Sequence, residues 1–274
     1  MATPSFEPRF ARPSFGPGDL VQGTLEVVQP MDGLRTLNAS LRYVDRSPSY
    51  WDSVSYAAAE PLHEGPAAVG DQIPFALQMP ADAYPSWEEP LASRMGSLFW
   101  ALVIEADIGG GFDTTTRLPV PVDASRPWTG PPPTFANRLN QTGKKWDVEI
   151  EPDRWSLRRG EVVGVDLRIG EPDASRETLK LGFICQAVYD VEEEYRGNSG
   201  SISYRRSTRR ANLHEEWPEI DRAASTQTIG CHVPATAPFS YGGNAFGFVW
   251  MVVAREERKW RGDPRTVAVL EVLP

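Results

Sequence analysis

The sequence predicts an all-β protein: two tandem antiparallel β-sandwiches of the immunoglobulin-like kind, joined by a proline-rich linker. Three observations carry this. Twenty-five prolines and 23 glycines are dispersed between short apolar runs along 274 residues, a pattern of many short strands and turns. Where the apolar residues are regular they recur with period two, and no convincing helical period appears. An internal repeat supplies the third: IPFALQMPADAYPSW and SLFWALVIEADIGGGFDTTTRLPVPV, within residues 73–122, return as TIGCHVPATAPFSY and AFGFVWMVVAREERKWRGDPRTVAVLEVL. Pro80, Ser86 and Trp87 align with Pro234, Ser240 and Tyr241 at one constant offset, and Trp100 and Asp113 with Trp250 and Asp263 at another. A repeat of that length sets the domain count at two, residues 1–124 and 146–274, with 125–145 as linker.

The elements follow in order. Phe6–Phe10 and Pro13–Phe15 are interrupted by proline, which cannot donate to a central ladder, and suit an edge strand. GPGDLVQGTLEVV, residues 16–28, reads as a turn and a strand burying Leu20, Leu25 and Val27. Along Leu34–Val44, Leu37, Ala39, Leu41 and Tyr43 share one face while Asn38, Ser40, Arg42 and Val44 share the other, as in a half-buried antiparallel strand. Asp45–Ser53 then reads as a polar loop carrying Tyr50 and Trp51, and Val54–Ala59 as a weaker strand. The Ile73 strand is closed by Met79-Pro80; a central strand spans Ser97–Ile108 and ends in the turn Gly109–Gly111. Pro131, Pro132 and Pro133 stiffen residues 125–145 into a linker or strap rather than a strand.

The second half repeats the plan. Residues 154–169, RWSLRRGEVVGVDLRI, overlay RPSFGPGDLVQGTLEV and set Gly160 on Gly18, Glu161 on Asp19 and Val163 on Val21. LKLGFICQAV answers LNASLRYV, with Cys185 on Leu41, and FGFVWMVV answers SLFWALV.

The longest apolar run, Leu98–Ile104, is far too short to span a bilayer, so no transmembrane segment is expected. MATPSFEPRFARPSF has no apolar core of a signal peptide, and the expected location is the cytoplasm. A net charge of −9 opposes nucleic-acid binding, which needs a basic surface. Residues 1–125 hold seven arginines, no lysine and 16 acidic residues, while the remainder holds 21 of each sign. All of the net charge therefore sits on the first half, and a partner chosen electrostatically by that half should be basic.

Taken together, PGDLVQGTLEV, a strand ending in proline with a P-x-S or P-F-S turn after it, a tryptophan-bearing strand and a G-x-D turn, all doubled, resemble the arrestin-like superfamily. The resemblance runs from about Phe10 to Leu273. It implies two seven-stranded sandwiches, each with a concave face, no catalysis and no cofactor, and a scaffolding role in which a receptor or cargo is bound and other proteins are brought to it. The family's phosphate sensors use basic side chains in the first domain, where this chain has no lysine. The chain stops at Pro274 after its last strand and PPPTF lacks the tyrosine of a PPxY motif, so the expected form is the minimal two-domain core of the bacterial, sporulation-control type.

Candidate chemistry is sparse. Zinc needs about four converging ligands, and Cys231-His232 is the one close pair of its kind. Adjacent strand residues face opposite ways, and the repeat sets Cys231 on Leu77 and His232 on Gln78, so the thiol should face the core and the imidazole solvent. Cys185 is inward by the same logic, both thiols are expected to be packing atoms, and a disulfide is disfavoured in a reducing compartment. No nucleophile or metal-ligand spacing is recognisable, so no catalytic, cofactor or metal residue is assigned.

Two recognition candidates remain. Tyr50, Trp51 and Asp52 occupy the place of the finger loop that arrestins insert into partners, where exposed aromatics suit an interface; the alternative is that they fold back on the sandwich. Arg205, Arg206, Arg209 and Arg210 lie in SYRRSTRRANL, opposite DVEEEYRGNSGS in a long hairpin turning near Asn198. That pairing would set Glu192–Glu194 against Tyr204–Arg206, and either cross-strand charge pairs account for the arginines or they form an edge for a phosphate or acidic peptide. The functional expectation is a non-enzymatic scaffold that captures a protein or peptide at a sandwich edge, at the finger-like loop or in a groove between the domains. Alternatives are an extracellular carbohydrate-binding sandwich with a planar row of exposed aromatics, and an enzyme with its site between the sandwiches.

Overall fold

A computed structural model describes residues 6–55, 60–88, 95–110, 113–123, 139–142, 146–176, 178–196, 202–257 and 263–274. Among these residues the protein is all-β, with sheets that are antiparallel apart from one short parallel strand pair, and no helix is long and apolar enough to cross a membrane. The chain divides into two compact units, Met1–Pro131 and Pro132–Pro274.

The first unit contains β1 (Phe6–Phe10), β2 (Leu20–Val27), β3 (Leu34–Arg46), β4 (Trp51–Ser55), β5 (Glu60–Glu64), β6 (Gln72–Gln78), β7 (Trp87–Glu88), β8 (Ser97–Ile108) and β9 (Thr114–Pro119). Strands β1, β2 and β6 form one sheet in that order; the other runs β4, β3, β8, β7, with β5 also on β3 and β9 on β8. Val21, Leu25, Phe75 and Leu77 of the smaller sheet and Leu37, Leu41, Tyr43 and Leu102 of the larger are buried, as a two-layer sandwich requires. Each such side chain contributes roughly 1.5–3 kcal/mol by leaving water. Leu20 departs from expectation: it lies opposite the exposed Gln78 and is 39% exposed, and Val21, opposite Leu77, fills the core instead.

The alternation on β3 holds for Leu37, Ala39, Leu41 and Tyr43, yet the opposite face is not uniformly wet. Val44 is buried there with Ala101 and Val103, and Phe99 packs beside them. Asp45–Ser53 is not a loop. Strand β3 continues to Arg46 and β4 begins at Trp51, joined by a tight turn in which Ser47 N donates to Tyr50 O at 2.7 Å and Tyr50 N to Ser47 Oγ at 3.0 Å.

The second unit contains β10 (Leu139–Thr142), β11 (Val148–Pro152), β12 (Ser156–Arg158), β13 (Val162–Ile169), β14 (Leu179–Arg196), β15 (Ile202–Glu216), β16 (Thr226–His232), β17 (Tyr241–Gly242), β18 (Phe246–Glu256) and β19 (Arg265–Leu273). Strands β11, β13 and β16 form the smaller sheet; the larger runs β10, β19, β18, β14, β15, with β12 on β19 and β17 on β18. Part of the expected linker is therefore a strand, because β10 pairs antiparallel with β19. Residues 124–138 and 143–145, which include the three prolines, lie outside the described residues.

The duplication extends to single hydrogen bonds. Gly18 and Gly160 both adopt positive φ, 76° and 84°, a conformation that favours glycine. Met79 N donates to Asp19 O at 2.9 Å and its counterpart Val233 N to Glu161 O at 3.0 Å. The Asp19 carboxylate accepts from Gly16 N at 2.9 Å, and Glu161 accepts from Arg158 N at 2.8 Å. One equivalence shifts. Tyr43 lies opposite Trp100 and Cys185 opposite Trp250, so Cys185 corresponds to Tyr43 rather than Leu41. A shift of two residues keeps the face, and Cys185 is fully buried.

Candidate protein-binding site

Strands β14 and β15 run on past the sheet that roots them. Their ladder extends from Phe183–Glu216 to Arg196–Ile202, whereas β18 accompanies β14 only as far as the Tyr189–Phe246 pair. The far end is thus a two-stranded ribbon with Tyr195, Ile202 and Tyr204 more than half exposed. Glu192 faces Arg206, Glu193 faces Arg205 and Glu194 faces Tyr204, as the hairpin reading requires; Asn198 lies outside the described residues.

The four arginines divide by surroundings. Arg206 Nε donates to Asp190 Oδ2 at 2.6 Å and its Nη2 to Asn244 O, and Thr208 Oγ1 donates to Asp190 Oδ1 at 2.7 Å. Arg209 donates to Glu193 at 2.9 Å, and that bond leads the effects holding the Glu193 carboxyl below its ordinary range. Arg205 stands opposite Glu193 and contributes to the same depression. Arg210 lies opposite Val188, an apolar neighbour. Cross-strand charge pairing thus accounts for Arg206 and Arg209, while Arg210, on the same face of the strand as Arg206, stands beside an apolar surface.

That surface is a groove of about 380 Å³ on the outer face of the larger sheet. Val188 of β14, Val249 and Met251 of β18, and Val267 and Val269 of β19 supply its apolar lining, with Arg210 and Arg265 exposed at the sides. All five apolar side chains are half-exposed. Along the same face Trp217 lies flat on Gly182, where a Cβ would stand 2.7 Å from the ring, and the Arg255 guanidinium stacks 4.4 Å from the indole centroid. These groove residues carry no motif. Their signal is the loss of alternation in FGFVWMVV and RTVAVLEV, where both faces of a strand are apolar although only one meets the core.

In the first unit Trp51 begins β4 and Arg117 sits on β9, with β3 and β8 between them. The guanidinium nevertheless lies 3.5 Å from the Trp51 ring centroid, so the two side chains arch over the outer face that carries Val44, Ala101 and Val103. Burial, then the charge of Arg42, lowers the Arg117 pKa, partly offset by Glu105. Trp51 remains 49% exposed, while Tyr50 and Asp52 are half-exposed. The finger-loop residues are therefore hairpin residues, with the tryptophan stacked on an arginine rather than projecting alone. A wider depression of about 690 Å³ lies against β1, β2 and β6; Arg9 on its wall forms an ion pair with Glu26.

The thiols face inward. Cys185 and Cys231 are free and fully buried, while His232 is exposed. Burial raises both thiol pKa values, and with the nearby Glu216 carboxylate it pushes Cys231 to about 12. His214 instead stacks against Phe183 and Trp250. Among the described residues no group of three histidine, cysteine or carboxylate side chains converges as a metal site. The exposed large aromatics there, Trp51, Tyr195 and Tyr204, form no planar row, because Tyr195 and Tyr204 stand at opposite parity on the ribbon. No protein-family model and no curated protein matches the chain.

Proposed function

We propose that the protein is a non-enzymatic scaffold of the arrestin-like type, a two-domain core that captures a protein or peptide and holds it for others. The observation that carries the reading is the groove beside Arg210, whose five half-exposed apolar side chains offer a surface to a partner. The repeated turns at Gly18 and Gly160 support the arrestin-like assignment. The acidic first half would favour a second, basic contact on the same or another protein.

The test is affinity capture from the source cell with the wild-type chain and with Met251→Asp, which sets a carboxylate in the apolar lining. A defined set of proteins retained by the wild type and lost by the variant, with unchanged thermal unfolding, is expected. Retention of the same set by the variant, or no set at all with the wild type, would contradict the proposal.

A further inference from the structure

The geometry points to the outer edge of β15, along Tyr204–Arg210, as a strand-addition site for an extended acidic segment of a partner protein. This rests on the scaffold reading and deepens it by naming the partner's chemistry.

The backbone directions are fixed by one bond. Asp190 N donates to Ala245 O at 3.0 Å, continuing the β14–β18 ladder, so the Asp190 amide and carbonyl point away from β15. Asp190 is opposite Thr208, which makes that couple the non-hydrogen-bonded kind in the β14–β15 ladder. Thr208 therefore turns its own N–H and C=O outward, and by the two-residue period so do Tyr204 and Arg210. Among the described residues β15 is the terminal strand of its sheet.

Such an edge invites pairing unless it is blunted. Several other edge strands carry proline, which blunts them: β1 contains Pro8, β5 Pro61 and β6 Pro74, and β11 ends at Pro152. Strand β15 has 15 residues, no proline, and its single register shift lies beyond Asn212. What it has instead is Arg205, Arg206, Arg209 and Arg210 within one short run. A second copy of the chain adding to this edge would set arginines beside arginines, which is repulsive. An acidic strand would meet them favourably and would extend the order of strands from acidic β14 through basic β15 to an acidic third. Its side chains on the outer face would lie beside Thr208 and Arg210 and continue the groove lined by Val188.

The probe is a peptide of alternating Glu and Val about ten residues long, with a Lys-Val peptide of equal length as control. Both are added to the full chain while amide exchange is followed residue by residue. The Glu-Val peptide should slow exchange at Tyr204, Thr208 and Arg210, and the Lys-Val peptide should not. Arg210→Pro and Tyr204→Pro each remove an outward N–H without breaking a bond to β14. With unchanged thermal unfolding, each should weaken the peptide roughly tenfold or more. Arg205→Ser combined with Arg210→Ser should flatten the salt dependence of binding. Equal protection by both peptides, no protection at these amides, or full affinity in a folded proline variant would overturn the assignment. If the proline variants still retain the proteins that Met251→Asp loses, the edge assignment falls and the scaffold stands. If the wild type retains no protein, the scaffold reading falls on its own evidence.

Discussion

Trp100 and Trp250 make the same hydrogen bond in the two halves of the chain. Trp100 Nε1 donates to Tyr84 O at 2.7 Å and Trp250 Nε1 to Pro238 O at 2.9 Å, each acceptor four residues beyond the aligned prolines Pro80 and Pro234. Both indoles are fully buried. Trp100→Phe and Trp250→Phe should each cost about 2–3 kcal/mol, from a buried carbonyl left without its donor and from lost volume. Urea unfolding of the two variants checks this, and a negligible loss in either would separate the two positions.

Arg176 ties three parts of the second unit together. Its Nη1 and Nη2 donate to the Asp147 carboxylate at 3.0 and 3.2 Å, and its Nε donates to Glu256 at 3.1 Å. Burial alone would raise the Asp147 pKa, but the bonds from Arg176 and Glu171 N outweigh it and hold the carboxyl below its ordinary value. A depressed folded-state pKa means stability that is present above the unfolded value, near 4, and lost as pH falls through the folded one. Arg176→Ala should therefore cost roughly 2–3 kcal/mol at neutral pH. The gap from wild type should narrow below about pH 4. A constant difference across that range would assign the loss to packing instead.

Much of the layout was legible because period two forgives errors. Cys185 matched to Leu41 instead of Tyr43 still faced inward, since the slip was of two residues. The hairpin pairs Glu192–Arg206 and Glu193–Arg205 followed from the position of the turn. Leu20 failed because the turn at Gly18 sets the strand's phase one residue later than its first apolar residue suggests. The Asp45–Ser53 stretch hid a hairpin, since Ser47 rather than glycine closes it through its own hydroxyl. The Trp51–Arg117 stack joins side chains distant in sequence and left no local sign. The groove of the second unit was hidden in runs that read as strands buried on both faces.

Trp51 and Arg117 form a separable test of the first unit. Arg117→Ala removes a cation–π contact of about 1 kcal/mol and should red-shift the emission assigned to Trp51 by comparison with Trp51→Phe. Tyr50→Ala with Trp51→Ala should leave the fold intact and reduce retention of captured proteins if this hairpin touches a partner. Undiminished retention would confine binding to the second unit.

The two thiols should be inert in the folded protein. Burial raises both pKa values, Cys231 to about 12, so a thiol reagent at pH 8 should label neither until denaturant is added, and then both. Labelling of native Cys231 or Cys185 would mean that the sheet around it opens.

Hydrogen exchange on the full chain, alone and with the proteins it retains, bears most directly on where a partner is held. Slowed exchange should concentrate in β15 and along the outer groove of β14, β18 and β19, leaving β11, β13 and β16 unchanged. Protection confined to the first unit, or none in either, would contradict a partner seated on the second unit's outer face.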